Sequence, residues 1–192
     1  AKDRRQRQMC IRDRATGAIT ITTSDNAINL QGTVDGGQAL TLSSGSAAIT
    51  ADGAIGSSTA LTSLTVNSSG AGTIEITDIG TSSAAGVSGA TAIGNTSTGT
   101  LTLDGTVYTT TGSQTYTAAT GGGNIDITNT AGTTFTTTNA AIAFNTSGVD
   151  LANNATTTID TGTAAGNVTF QGAIETNGGD NDLSLIHISE PT

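Results

Sequence analysis

Residues 18–55 read AITITTSDNAINLQGTVDGGQALTLSSGSAAITADGAI, and they contain the same pattern twice, at an offset of 21 in residue number. The segment AITI at 18–21 corresponds to ALTL at 39–42. The other matched positions are Ala27 with Ala48, Ile28 with Ile49, Gly32 with Gly53 and Val34 with Ile55. A period of this length is typical of solenoid proteins, in which each repeat forms one coil of the chain.

A third unit follows after an insertion of three residues near Ser63, with LTV at 64–66, IEI at 74–76 and Ile79 in the corresponding places. Each unit therefore holds three short segments in which a polar residue separates two apolar ones. In a β-strand this alternation places both apolar side chains on one face. Three such strands cannot bury a face alone, but coils stacked about 4.8 Å apart would enclose a continuous aliphatic column.

The repeat predicts an all-β protein, a parallel β-helix or β-solenoid, with coils of roughly 21 residues and three short strands in each. The chain has room for roughly seven such coils. Regularity weakens after Gly80, and residues 81–99, rich in Ala, Ser and Gly, are predicted to form a loop or an irregular coil. Strands are predicted to resume at LTL 101–103, VY 107–108, IDI 125–127, IAF 142–144, VDL 149–151 and VTF 168–170.

A longer repeat is superimposed on the short one. The segment VTFQGAI at 168–174 matches INLQGTV at 28–34, an offset of 140 in residue number, and a Gly-Gly pair and a Leu-x-Leu segment follow both copies. This nesting predicts that the parent protein is longer than the present chain.

The composition changes abruptly near both ends of the chain. All six basic residues, the only Met and the only Cys lie in residues 1–14, and the only His and Pro lie in residues 187–192. The stretch 15–182 contains no Lys, Arg, His, Cys, Met, Trp or Pro. It holds 12 of the 15 acidic residues, because only Asp3, Asp13 and Glu190 lie outside it.

The two ends, RRQRQMCIRDR at 4–14 and LSLIHISEPT at 183–192, resemble translated sequencing-adapter reads. We therefore expect three segments: a disordered, non-native tail at 1–14, a β-solenoid at 15–182, and a second adapter-like tail at 183–192. The last boundary is open by a few residues, because LSL at 183–185 also fits the repeat. The alternative is a genuine basic arm, suited to nucleic acid, and a genuine C-terminal strand.

Four phrases carry a family resemblance: NVTFQGAI at 167–174, ALTLSSG at 39–45, LTSLTVNSSG at 61–70 and TTTGSQTY at 109–116. Through them the chain resembles the β-strand-repeat proteins of the filamentous-haemagglutinin-like class of bacterial adhesins, over most of residues 16–185. The resemblance implies a right-handed parallel β-helix, export across the bacterial envelope, an extracellular or cell-surface location, and a role in adhesion or surface structure. It supplies no catalytic residues.

The residue inventory argues against an enzyme. β-Helix enzymes that cleave acidic polysaccharides need basic side chains, a hydrolytic triad needs His, and a zinc site needs Cys or His; the stretch 15–182 has none of these. Paired carboxylates could still hydrolyse a neutral glycan, and the nearest pairs are Glu75 with Asp78 and Asp180 with Asp182. In the register of the short repeat the acidic residues form no single column. We therefore predict no catalytic, cofactor-binding or metal-binding residues, with a polysaccharide-active fragment as the lower alternative.

Calcium binding is the stronger alternative. Asp and Asn side chains at turns offer hard oxygen ligands, and GGDNDL at 178–183 resembles the Gly/Asp-rich calcium repeat of exported toxins, in a single copy. The leading prediction remains a structural or adhesive stalk segment whose partners are surface glycans or proteins. The isolated fragment is also expected to associate end to end, because a solenoid cut from a longer rod exposes unpaired strand edges at both ends. Nucleic acid is disfavoured, because a charge of about −12 on 15–182 would repel phosphate. Membrane insertion is disfavoured because no apolar run is long enough.

Three further features have a functional and a structural interpretation. Outward threonines at Thr20, Thr41 and Thr62, or Thr65 after the insertion, could order water or simply favour β-structure. The segment ATAIG at 90–94 resembles a head repeat of trimeric autotransporter adhesins. The aromatic residues could form a glycan platform but are predicted to fill the core or to cap a coil; they are Tyr108, Tyr116, Phe135, Phe144 and Phe170.

Overall fold

The structure is a computed structural model that describes residues 17–152, 154–164, 166–176 and 180–186. These residues form 18 β-strands and no helix. The strands are β1 (Ile19–Thr22), β2 (Ile28–Leu30), β3 (Ala39–Ser43), β4 (Ile49–Ala51), β5 (Ser63–Asn67), β6 (Ile74–Ile76), β7 (Thr91–Ile93), β8 (Leu101–Leu103), β9 (Val107–Thr109), β10 (Gln114–Thr117), β11 (Ile125–Ile127), β12 (Thr133–Thr136), β13 (Ile142–Asn145), β14 (Gly148–Leu151), β15 (Thr156–Asp160), β16 (Val168–Phe170), β17 (Ala173–Thr176) and β18 (Asp182–Ile186).

The chain winds through three parallel sheets in a fixed order. Sheet A contains β1, β3, β5, β7, β10, β13 and β16; sheet B contains β2, β4, β6, β8, β11, β14 and β17; sheet C contains β9, β12, β15 and β18. Single-residue bridges through Val34, Ile55 and Ile79 continue sheet C into the first three coils. The fold is thus a parallel β-helix of about seven coils with three strand positions per coil, which confirms the predicted architecture.

Coil length varies along the solenoid. Ile19 lies opposite Leu40, which is the predicted offset of 21. Leu40 in turn lies opposite Leu64, an offset of 24, so the insertion near Ser63 is confirmed. The longest coil separates Ile79 from Tyr108, an offset of 29. The strand ladders survive these changes because the extra residues are accommodated in the turns.

The core is a single column of inward-facing side chains. Most strands show the alternation buried, partly exposed, buried, as in β4, β8 and β11. Ile49, Ile76 and Leu103 have no exposed surface. Burying an aliphatic side chain of this size stabilises a fold by about 1.5–3 kcal/mol, so stacked coils supply the apolar burial that one coil lacks.

The aromatic residues fill the core, as predicted. Tyr108, Tyr116, Phe135 and Phe144 are fully buried. Tyr108 stacks on Phe135 with ring centroids 4.9 Å apart, and Phe144 stacks on Phe170 at 4.9 Å. Edge-to-face contacts also occur, for example between Tyr116 and Phe135, whose ring centroids lie 5.5 Å apart. Offset and edge-to-face ring pairs are favourable, and the four buried rings cannot serve as a glycan platform.

The prediction of a loop or irregular coil for residues 81–99 missed strand β7 and a bridge at Val87, while the other residues of the segment lie in turns, bends and irregular structure. Strand β7 pairs in parallel with both β5 and β10, and Val87 bridges Leu61 and Thr110. The alternation is hidden in the sequence because a threonine, Thr91, occupies an inward position that is aliphatic in the two preceding coils, as Leu40 and Leu64. Glycine is needed in this segment for close backbone approach, since a Cβ on Gly86 would lie 2.2 Å from the nitrogen of Gly80.

The long-range echo of residues 28–34 at 168–174 does not correspond to equivalent places in the fold. Residues 28–30 form β2 in sheet B, whereas the matching residues 168–170 form β16 in sheet A. The apolar-polar-apolar pattern fits every sheet, because each sheet faces the core on one side. Sequence similarity over such short segments therefore does not determine which sheet a segment joins.

One buried side chain connects three parts of the core by hydrogen bonds. The Gln114 Nε2 group donates to the Tyr108 carbonyl at 2.7 Å and to the Thr136 carbonyl at 2.9 Å. The Tyr116 hydroxyl donates to Gln114 Oε1 at 2.9 Å. Because Gln114 is fully buried, no water is available to replace these bonds.

We expect Gln114→Leu to lower the free energy of unfolding by about 2 kcal/mol or more, because each buried polar group left without a partner costs about 1–3 kcal/mol. Urea unfolding followed by circular dichroism would measure the change. Gln31→Leu is the matched control, since Gln31 is exposed and surface substitutions usually change stability by no more than about 0.5 kcal/mol. Equal stability of the two variants would contradict the assigned role.

Candidate functional site

The first carboxylate pair suggested by sequence proximity, Glu75 with Asp78, has its two members in different surroundings. Glu75 is exposed on the outer face of sheet B, where it lies opposite Thr50 and Thr102. The carboxylate of Asp78 instead accepts backbone hydrogen bonds from Thr106 at 2.8 Å and from Val107 at 3.0 Å. The Glu75 and Asp78 carboxylates thus act separately.

Asp78 belongs to a recurring arrangement that we call the turn clamp, in which a turn aspartate accepts hydrogen bonds from backbone N–H groups of the next coil. The Asp25 carboxylate accepts a hydrogen bond from the Ser46 N–H at 2.8 Å. This bond, and then a second one from the Ser46 side chain, lower the pKa of Asp25. The Asp35 carboxylate accepts from Ser58 at 2.7 Å and Thr59 at 3.1 Å. The clamps were not predicted from the sequence, although a Ser- or Thr-containing turn one coil after an aspartate indicates such a clamp.

The second proposed pair, Asp180 with Asp182, lies at the end of the described chain. Both residues are exposed. The residue between them serves a turn, because Asn181 Oδ1 accepts a hydrogen bond from the Asn154 N–H at 2.9 Å. Gly178 and Gly179 of the calcium-like segment lie outside the described residues.

Three carboxylates do stack in one column, contrary to the sequence prediction. On the outer face of sheet B, Asp126 lies opposite Asp150, and Asp150 lies opposite Glu175. We call these three residues the carboxylate ladder. The ladder could not be seen with a constant repeat length of 21 residues, which is the offset between the first two coils. Its members are separated by 24 and then 25 residues.

The ladder is tightest at Asp126. Its Oδ1 atom is buried and has no hydrogen-bond partner among the described residues. Burial, and then the negative charge and hydrogen bonding of Asp150, raise the pKa of Asp126. Asn124 partly compensates, since its Nδ2 group donates to Asp150 Oδ2 at 3.1 Å. A shallow groove of about 200 Å³ borders the pair and is also lined by Thr128 and Thr130.

Asp126 and Asp150 lie opposite each other on neighbouring strands of one sheet face. Within residues 17–152, 154–164, 166–176 and 180–186, no group of three or more His, Cys, Asp or Glu side chains is placed to hold a metal ion.

The outer face of sheet A is uncharged. Thr20 lies opposite Thr41, and Thr41 opposite Thr65, so the register that allows for the insertion is correct and Thr62 does not join the row. Ala92 interrupts the row in the next coil. In the segment ATAIG, Thr91 and Ile93 point into the core, as in the other coils of this sheet.

Comparison of the chain with protein-family models, with curated proteins and with solved structures gave no match. In the described part of the chain, no helix is long and apolar enough to cross a membrane. The predicted N-terminal tail, residues 1–14, lies outside the described residues, as do residues 187–192 of the predicted C-terminal tail. Strand β18 pairs with β15 and continues past the predicted boundary at Asp182 to Ile186.

We expect Asp126→Asn to stabilise the protein at neutral pH, because like charges directly opposite on neighbouring strands are destabilising and such pairs contribute about 0.2–1 kcal/mol. Since the pKa of Asp126 is raised above its ordinary value of 3.8, its protonation stabilises the fold fully below pH 3.8. That contribution is lost as the pH rises through the raised value.

The advantage of the Asp126→Asn variant in Tm should therefore decrease as the pH is lowered from 7 toward 3.8. Thermal melts of wild type and variant across this range measure the difference. Asp52→Asn removes the same charge from an exposed position outside the ladder and serves as the control. An advantage that is the same at every pH, or that Asp52→Asn reproduces, would argue against repulsion within the ladder.

Proposed function

We propose that this chain is a structural or adhesive stalk segment of a large exported bacterial surface protein, similar to the filamentous-haemagglutinin-like adhesins, and that it carries out no catalysis. The observation that supports this most directly is one inward ladder of sheet C, with an apolar or aromatic residue in every coil. Its members are Val34, Ile55, Ile79, Tyr108, Phe135, Ile159 and Leu185. Seven coils spaced about 4.8 Å apart give a rod about 30 Å long.

The surface of the rod fits this role. Turn clamps such as that of Asp78 fix each turn to the next coil, so the connecting segments carry structure rather than chemistry. The acidic sheet B and the uncharged sheet A offer two different lateral faces. We place the protein at the cell surface or outside the cell, with surface glycans or proteins as its partners and with no affinity for nucleic acid, whose phosphates its negative charge would repel.

Protease resistance tests the stalk proposal. Trypsin has no cleavage site between residues 15 and 182, which contain no Lys or Arg, so a protease of broad specificity such as proteinase K must be used. We expect the stretch from Gly17 to Ile186 to survive as one fragment in mass spectrometry, because proteolysis requires local opening of the chain. Ile76→Asp, which buries a charge at a position without exposed surface, should be degraded rapidly. Rapid loss of the wild type would contradict a packed rod.

Calcium stabilisation is the second candidate, and the buried Oδ1 atom of Asp126 beside Asp150 favours it. Calcium prefers carboxylate and other oxygen ligands, and a ligand that binds only the folded state raises its stability. We expect no change in Tm on adding millimolar calcium if the chain is a metal-independent stalk. A rise in Tm that Asp150→Asn abolishes, with Asp52→Asn as control, would instead support the calcium candidate. Thermal melts followed by far-UV circular dichroism measure Tm with and without calcium.

A further inference from the structure

The exposed large apolar side chains of the described residues are confined to the two ends of the rod. Ile19 in the first coil is 40 % exposed, and in the last coil Ile174 is 39 % and Leu185 is 54 % exposed. Among the described residues, strands β1 and β2 at one end, and β16, β17 and β18 at the other, each pair with a single neighbour. Strand edges with free backbone groups and apolar side chains are templates for pairing with another chain.

The two ends match each other in all three sheets when the internal register is continued from the last coil to the first coil of a second copy. In sheet A, Val168 and Phe170 of β16 come to lie over Ile19 and Ile21 of β1, with Thr169 continuing the row of Thr20. This reproduces the pairing inside the rod, where Ile19, Thr20 and Ile21 lie opposite Leu40, Thr41 and Leu42.

Sheets B and C continue in the same way. Ile174, which lies opposite Val149 inside the rod, meets Ile28, whose internal partner is Ile49. In sheet C, Leu185 meets Val34, since both belong to the inward ladder that runs through Ile159 and Ile55.

Charge also matches at this junction. The carboxylate ladder ends at Glu175 in the last coil, and the residue next to Ile28 on the outer face of the first coil is Asn29. Continuing the register therefore places an amide, not a second carboxylate, opposite Glu175. The same kind of contact exists inside the rod, where Asn124 donates to Asp150 at 3.1 Å.

The opposite arrangement, with two like ends in contact, does not fit. Turning one rod end over reverses the order of the sheets around its axis, so that sheet A can face sheet A only if sheet B faces sheet C. Facing strands would also run antiparallel, whereas the strand pairs inside the rod are parallel. A contact between unlike surfaces related by a translation does not close, and it generates filaments.

We propose that the first and last coils form complementary docking surfaces, and that copies of this chain stack head to tail with their three sheets in continuous register. The partner is a second copy of the same chain. The inference concerns the isolated chain and requires the solenoid fold; it depends neither on an adhesive role nor on the proposal that the chain is a segment of a larger protein.

Two end variants and one lateral variant test the proposal with the full-length chain. Ile19→Lys places a cation on the first coil, and Ile174→Lys places one on the last coil; both side chains are already partly exposed. Thr115→Lys is the matched control, because Thr115 faces outward from the middle of sheet A. Circular dichroism checks that all variants are folded, and sedimentation velocity measures association over the micromolar concentration range.

We expect the sedimentation coefficient of the wild type and of Thr115→Lys to rise with concentration, and each end variant alone to remain monomeric. An equimolar mixture of the two end variants should form a 1:1 dimer and nothing larger, because each contributes one intact end. A monomeric wild type, or a folded mixture without dimer, would overturn the proposal. So would a dimer of either end variant alone, which would indicate contact between like ends, and a Thr115→Lys variant that loses association, which would indicate lateral contact.

Discussion

The structure depends on the stacking of equivalent positions from coil to coil. A single coil has no interior of its own, so every buried side chain obtains its contacts chiefly from the coils above and below it. Ile76, for example, lies between Ala51 and Leu103 in the inward ladder of sheet B. A polar or missing side chain at one level therefore weakens two interfaces, which is why the aliphatic alternation persists even where turns change in length.

The same constraint explains how much of the fold could be predicted from the sequence. Alternation of period two determines which face of a strand is buried, and it correctly identified inward residues such as Ile49 and Val66. A repeated spacing then determines that the strands pair in parallel with their counterparts one period away. These two local signals are sufficient for a parallel β-helix. Tyr108 and Phe135 are buried as predicted, and they occupy positions that are aliphatic in earlier coils.

The candidate site could not be predicted, because it depends on turn lengths. Strand alternation does not determine how many residues a turn contains, and a turn that gains three residues shifts every pairing that spans it. If the offset of the first two coils were constant, Asp126 would face Ser147, but the observed register places it opposite Asp150. The clamp of Asp78 on Thr106 and Val107 escaped detection for the same reason. Strand β7, within residues 81–99, was missed for a different reason, because the inward Thr91 interrupts the apolar alternation of that strand.

Stacking also constrains where a solenoid can carry charge. A carboxylate in a turn can accept backbone N–H groups from the next coil, as that of Asp35 does, so its charge is used in holding the coils together. A carboxylate in the middle of a strand meets only the outward residue of the neighbouring coil, and an acidic residue there is repelled. The outward column of sheet B avoids this in its first coils by placing Thr50 and Thr102 on either side of Glu75. It no longer does so in its last three coils, where Asp126, Asp150 and Glu175 lie opposite one another and their like charges repel.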